Sequence, residues 1–206
     1  ARHDSHSSNE SGTDSSMHDH NRFPRTAKIV VAGGFGVGKT TMVSAISEIE
    51  PLTTEAPLTQ TSAGVDDLTG VNGKTTTTVA LDFGRLTLDD SLTLYLFGTP
   101  GQHRFWNSWN HIVIGAVGAI VLVDTRRPTD CFAAIDFFES RSVPFVVAIN
   151  DFDGLPLYDT EAVRDALDVA PETPIIRCDA RSMEACRHAL LTLVDHAIRA
   201  ERAYLG

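Results

Sequence analysis

The sequence predicts an α/β domain of three layers: a mainly parallel six-stranded sheet with one antiparallel edge hairpin strand, and helices on both faces. Three observations carry this. From residue 119 onward, short apolar runs alternate with stretches of helical periodicity, the pattern of a parallel sheet covered on both sides. Between an apolar run at 28–32 and a helix-like run at 41–49 stands Gly33-Gly34-Phe35-Gly36-Val37-Gly38-Lys39-Thr40, which fits G-x-x-x-x-G-K-[ST], the phosphate-binding loop, in the context that loop requires. Finally, Asp89-Asp90 joins two strand-like runs, 75–88 and 91–97, as a hairpin connection.

Size and composition bound the rest. A chain of 206 residues with 42% hydrophobic residues fits one well-filled core plus a tail. The net charge of -10 argues against nucleic acid as a partner, so a bound anion must be held by local geometry, not by the overall field. Cys131, Cys178 and Cys186 are odd in number and lack metal-ligand spacing, which speaks for reduced thiols and a cytoplasmic setting. No apolar run approaches the length of a membrane helix, so no direct membrane insertion is expected, and any visit to a membrane would be through a partner.

Residues 1–25 are Ser, His, Asp and Asn with almost nothing to bury, and read as a disordered N-terminal tail; 26–206 then form the folded domain. His3, His6, His18 and His20 are irregularly spaced and carry no metal expectation. The first strand is 27–32, apolar enough in Ile29, Val30 and Val31 to be buried on both faces. The helix after the loop should run to about Glu50 and stop at Pro51. Residues 51–74 are polar and rich in Thr, Gly and Pro, a long loop of the kind that switches. In 75–88, Val79, Leu81 and Phe83 alternate, then the phase slips to Leu86 and Leu88, which suggests a bulge at Gly84. Later strands are expected at 119–123, 145–149 and 174–178. A helix near Thr160 shows Val163, Ala166, Leu167 and Ala170 at helical spacing with Asp159 or Thr160 as cap, and the last helix opens at Ser182 with Leu190, Leu193, Val194 and Ala197 on one face.

A triphosphate needs dense positive potential without bulky side chains in the way. The glycines let main-chain N–H groups point inward, the following helix N-terminus (Thr41 included) adds its dipole, and Lys39 reaches the outer phosphates. Thr40 is placed to put its hydroxyl on Mg²⁺. Ligands of open α/β sheets bind outside the carboxyl ends of the strands, so the residues just past each strand test the assignment. After the hairpin come Gly98-Thr99-Pro100-Gly101-Gln102, where Gly101 could approach a γ-phosphate and Gln102 orient an attacking water. After the fifth strand come Asn150-Asp151-Phe152-Asp153, where the Asp153 carboxylate could accept N1–H and N2–H of guanine, a pair adenine lacks. After the sixth come Asp179-Ala180-Arg181, which could bring the Ala180 N–H to the guanine O6.

These elements, in this order, resemble the signature set of small Ras-like GTPases: the phosphate loop, D-x-x-G-Q, N-K-x-D and S-A-K. Within that superfamily the phrases P-L-T-T-E, T-T-V-A-x-D-F-G and L-F-G-T-P-G-Q are similar to those of actinobacterial conservon GTP-binding proteins, and next to bacterial MglA-type GTPases. The resemblance spans residue 28 to the C-terminus. It implies the P-loop small-GTPase fold, GTP and GDP as ligands, Mg²⁺ as cofactor, and a slow GTPase switch in bacterial signalling. It also implies a roadblock/LC7-type regulator and a histidine-kinase-like membrane protein as partners. The switch threonine that closes on Mg²⁺ would come from 75–78, and the T-V-A-x-D-F-G register favours Thr78, so Thr78, Lys39 and Gln102 are the expected catalytic groups. Two departures stand out: Gly98 replaces the aspartate that holds a water on Mg²⁺, and Asp151 replaces the lysine whose stem lies along the purine. No arginine finger is evident in cis, with Arg85, Arg104 and Arg126 read as solvated or structural; Trp106 and Trp109 are read as either a partner surface or core packing.

Overall fold

The computed structural model describes residues 25–59, 76–89, 91–101, 106–154, 156 and 158–205; for 53–59, 76–80, 89, 106–108, 204 and 205 the description is of the backbone alone. The central strand is β1 (Arg25–Gly33), paired in parallel with β4 (Leu92–Gly98) on one side and β5 (Ala116–Val123) on the other. Parallel pairing continues through β6 (Phe145–Asn150) to β7 (Ile175–Cys178). On the far side of β4 lies antiparallel β3 (Thr76–Asp89), and outside it antiparallel β2 (Leu52–Thr59), in the order β2-β3-β4-β1-β5-β6-β7.

Alternation explains why the central strands are apolar without a break. Ile29 and Val31 of β1 face one core with Met42, Val43, Leu96, Ile120 and Leu193, while Val30 and Ala32 face a second with Val121, Trp109, Ile135, Phe138 and Val163. The first core lies under α1 (Lys39–Ile46) and α5 (Met183–Leu205); the second lies under α2 (Trp106–Val113), α3 (Phe132–Glu139) and α4 (Thr160–Leu167). A strand buried on both faces has no polar side to show. Trp109 is core: it stacks on Phe138 at 6.2 Å and meets Phe137 edge-on at 5.4 Å.

The six expected strands are all present, and a seventh joins them. β2 comes from a stretch read as loop for its polarity and its Thr, Gly and Pro; β2 is the sheet edge, where a proline such as Pro57 costs no ladder bond. Helix α1 stops at Ile46, four residues earlier than the expected Glu50 and well before Pro51. Ser47 is extended and the chain turns onto β3: Glu48 N–H donates to Arg85 O at 2.7 Å, and Glu48 Oε1 accepts Thr87 N–H at 2.6 Å. These contacts serve the β3 edge beyond the last β2 pair, Leu52 with Phe83.

Gly84 holds no bulge. It pairs with Leu96 in register, and the irregularity lies between Thr87 and Asp89. Leu81 belongs to one core and Leu86 to the other, so the apparent slip is a strand that buries first one face and then the opposite face. Gly84 is small because α1 crosses there: a Cβ would stand 2.8 Å from Val43 Cγ1 and 3.1 Å from Ser47 Cβ. In α4, Val163 and Leu167 are buried as expected, but Asp168 is left-handed (φ 53°) and closes the helix, leaving Ala170 outside it and Ala166 exposed. Residues 1–24 and 60–75, to which the tail and most of the switch-loop expectations refer, lie outside the described residues.

Candidate functional site

β1 delivers the phosphate loop at the carboxyl end of the sheet, and α1 carries it away. Gly38, the residue before α1, has φ 107°, and a Cβ on it would stand 2.7 Å from Asn150 Nδ2. Both facts call for glycine. Lys39 is 8% exposed, and its Nζ donates to Gly33 O at 3.0 Å and Gly34 O at 2.6 Å, so the ammonium is held inside the loop it serves. Burial lowers the Lys39 pKa to about 8, while the charge of Asp82 works in the opposite direction.

The residues past β4 close on this loop. Thr99 N–H donates to Val31 O at 2.8 Å, which sets the segment alongside the end of β1. A Cβ on Gly101 would stand 2.8 Å from Lys39 Nζ and 2.9 Å from Phe35 Cα. Gly101 thus brings bare backbone to the lysine. Thr40 Oγ1 donates to Asp82 Oδ2 of β3 at 2.5 Å.

Opposite this wall, the residues after β5 brace the loop. Asp124 is 4% exposed and accepts Arg126 Nε at 2.8 Å and Nη2 at 2.7 Å; the guanidinium holds its carboxyl below the usual range, against the effect of burial. Arg127 Nη2 donates to Phe35 O at 3.1 Å, and a Cβ on Gly34 would stand 2.6 Å from Asp130 Cβ. Arg126 lies over the Phe152 ring at 4.2 Å, which ties this wall to the other end of the site.

That other end is organised by Asn150. Its Nδ2 donates to Val37 O at 2.8 Å and its Oδ1 accepts Ala180 N–H at 3.0 Å, so one buried amide joins the phosphate loop to the loop after β7. Asp151 N–H donates to Cys178 O at 3.1 Å. Arg181 forms a fork on Asp153, Nη1 to Oδ2 at 2.6 Å and Nη2 to Oδ1 at 2.9 Å, and also reaches Asp179 Oδ1 at 2.9 Å through Nε. The fork holds the Asp153 carboxyl below its ordinary pKa.

The structure therefore brings 33–41, Gly101, Asn150, Asp151, Asp153 and 179–181 into one cleft at the strand ends. Gln102 lies outside the described residues; Thr78 is described as backbone in β3 opposite Pro57, and its side chain is not. Asp82, Asp124, Arg127 and Asp130 were missed by sequence reasoning; for the last three the signal was position, just past the expected strand at 119–123, which is β5. The donor set suits Mg²⁺, which takes hard oxygens and few protein ligands when phosphates complete its shell: Thr40 supplies a hydroxyl beside the lysine and Asp82 a carboxylate beside the hydroxyl. Among the described residues no group of three or more His, Cys, Asp and Glu side chains is placed to hold a metal, and no helix is long and apolar enough to cross a membrane.

Residues 31–200 match the family described as "Conserved hypothetical ATP binding protein". An uncharacterized protein of Methanocaldococcus jannaschii is 30% identical over 128 residues, 61% of this chain and 70% of that protein. A probable translation initiation factor IF-2 of Thermofilum pendens is 27% identical over 188 residues, 86% of this chain but 28% of the factor. Among solved structures, the cytosolic domain of the Thermotoga maritima FeoB iron transporter in a GDP form has TM-score 0.60 at 17% identity, covering 84% of this chain and 64% of that one. The G domain alone of the same transporter gives TM-score 0.59 at 18% identity, with 84% and 99% covered. The FeoB G-domain of Methanococcus jannaschii gives 0.55 at 13%, with 83% and 99% covered. The likeness at this identity is one of fold: a P-loop α/β domain of the G-domain kind.

Proposed function

We propose, from the premise that the chain belongs to the family of conserved hypothetical ATP binding proteins, that this member is a guanine-nucleotide switch with slow hydrolysis of GTP to GDP and phosphate. The observation that carries the guanine reading is the Asp153 carboxylate, which lies past β6, away from Lys39, and accepts two N–H donors from one guanidinium, one on each oxygen. Guanine offers such a pair through N1 and N2; adenine does not. Asn150 fixes the distance between the two ends through its bonds to Val37 and Ala180.

In this reading the loop amides of 33–38 and the Lys39 ammonium bind the β- and γ-phosphates, and the Gly101 N–H senses the γ-phosphate. Thr40 would hold Mg²⁺, which would neutralise phosphate charge, and Thr78 is the residue that would join it from β3. Gln102 orients the water that attacks in line. Arg127 is occupied by Phe35 O and Asp130, and Arg126 by Asp124, so neither is free for the transferring phosphoryl group. An arginine supplied in trans is worth about 10³–10⁵ in rate, which makes turnover depend on an activating partner. The partner classes that the resemblance implies are a roadblock/LC7-type regulator and a histidine-kinase-like membrane protein, the latter recruiting a cytoplasmic switch to the bilayer.

The family description favours a second reading, an ATP-using P-loop protein. One experiment separates them: denature the purified protein, chromatograph the released nucleotide, and follow GTP turnover with Gln102 present and replaced by alanine. GDP in the release and a rate that falls on Gln102→Ala support the switch. An adenine nucleotide, or ATP that displaces bound GDP as well as GTP does, replaces it by the second reading.

A further inference from the structure

β4 ends in Gly98, where the resemblance places an aspartate that holds a water on Mg²⁺, yet the place is not without a carboxylate. β3 and β4 run antiparallel with Asp82 directly opposite Gly98. A Cβ on Gly98 would stand 3.0 Å from Asp82 Cβ and 3.1 Å from Asp82 Oδ2. The space that a side chain at 98 would use is filled from the neighbouring strand. From there Asp82 accepts the Thr40 hydroxyl at 2.5 Å, a charge-assisted distance. Its charge also reaches Lys39 and favours the ammonium there. One carboxylate thus addresses both side chains that end the phosphate loop.

We propose that Asp82 carries, from β3, the Mg²⁺-holding carboxylate that Gly98 cannot supply from β4, and that it does so by anchoring the ion at the Thr40 hydroxyl. The two positions form one arrangement: an acid at 82 requires the smallest residue at 98, and glycine at 98 leaves the acid room to reach Thr40. Mg²⁺ bound with phosphates needs one or two protein oxygens of this kind, which is what Thr40 and Asp82 provide. A purely structural role, in which Asp82 does no more than fix the threonine rotamer, makes a different prediction about where the effect of its loss is felt.

The proposal rests on the nucleotide reading of the cleft but not on the base. Release of fluorescent N-methylanthraniloyl GDP and of the corresponding ADP is followed at rising MgCl₂ and in EDTA, using the full chain. The readout is the ratio of release in EDTA to release in Mg²⁺. Asp82→Asn keeps size and an acceptor for Thr40, and is expected to raise the Mg²⁺ needed for half of the slowing about 10- to 100-fold. Asp82→Ala combined with Gly98→Asp returns a carboxylate from the other strand and is expected to recover most of the Mg²⁺ dependence that Asp82→Ala alone loses. A wild-type Mg²⁺ response in Asp82→Asn overturns the proposal, as does a release faster by the same factor in EDTA and in Mg²⁺, the mark of a structural bond. If circular dichroism shows the double variant unfolded, Mn²⁺ binding by Asp82→Asn and wild type, read by electron paramagnetic resonance with nucleotide present, decides in its place. Binding of the ADP probe alone sinks the guanine reading and leaves the Mg²⁺ comparison to be made with that probe. Binding of neither sinks both.

Discussion

The two ends of the cleft are built on different physics. At the phosphate end the working groups are main-chain amides and a buried lysine, 8% exposed, locked between β1, α1 and Gly101. At the base end they are exposed charges: the Asp153 and Arg181 side chains are 83% and 54% exposed and hold each other across open solvent. The phosphate loop is braced by the fold, whereas in the proposed reading the base end would work by an exchange of partners at the surface. Asn150, at 7% exposure, is where the two meet. A cleft so divided should lose all affinity through one end and change preference through the other.

The largest effect belongs to Lys39→Ala. Removing one member of a hydrogen-bonded charge pair at a buried site costs about 2–5 kcal/mol of binding, or roughly 30-fold and more. Calorimetry with Mg²⁺ and GTP should show that loss with a folded protein by circular dichroism. Retained affinity would mean that the loop amides suffice and that the comparison overstates the lysine. Asn150→Ala comes next. It leaves the Ala180 N–H, buried at 1% exposure, without its acceptor, which costs about 1–3 kcal/mol of stability. The melting temperature should fall by about 2–10 °C, and affinity for guanine and for phosphate should fall together. A variant that loses one and keeps the other would show that the ends are not joined here.

The pH dependence sharpens the contrast. With the Lys39 pKa lowered to about 8 by burial, the loop without ligand deprotonates above that pH, while phosphate charge raises the pKa in the complex. Binding then takes up a proton above about pH 8. Affinity is at its full value below that point and should weaken by about tenfold per pH unit above it, until the pKa of the complex is reached. Stability has the opposite sign for the same group: the unfolded lysine binds more protons between about 8 and 10.5, so folding gains as pH rises through that window. Asp153, held below the ordinary carboxylate range by Arg181, stays ionised across that window and adds nothing. Dissociation constants at pH 7, 8 and 9 check the first slope and thermal melts the second.

How much of this was legible in the sequence depends on how local the causes are. The phosphate loop was legible because four glycines and a lysine fall within the single stretch 33–39, flanked by the right elements. The strands facing both cores were legible because burial on two faces leaves an unbroken apolar run. β2 was not, since an edge strand may carry proline and polar residues that elsewhere mark a loop. The false bulge at Gly84 arose because a switch of buried face and a slip of register leave the same trace in one strand. Asp82 was the costliest miss: Gly98 was visible as a departure, but its partner is set by strand register sixteen residues away, and the sequence signal was only an acid inside an apolar run. Asn150 was read as part of base recognition; the bracing of Val37 and Ala180, through one N–H and the oxygen of its amide, is set by the tertiary fold and leaves no local trace.

The smallest effect, and the one that tests the base end most directly, belongs to Arg181→Gln. A guanidinium laid on a carboxylate presents two parallel N–H groups 2.6 and 2.9 Å from its oxygens, the same pattern that the N1 and N2 edge of guanine would present. In the proposed guanine reading Arg181 stands in for the base, and guanine would displace it, with Asp179, already bonded to the arginine, holding it once it leaves. Being exposed, the pair is weak and screened by salt. Arg181→Gln should therefore raise affinity for GDP by less than about tenfold, more at low ionic strength than at high, and leave any affinity for ADP as it was, because adenine never competes for Asp153. A fall in GDP affinity would show instead that the arginine holds the base in place, and the division between a grip built into the fold and a reader guarded by its own mimic would then be wrong at the second end.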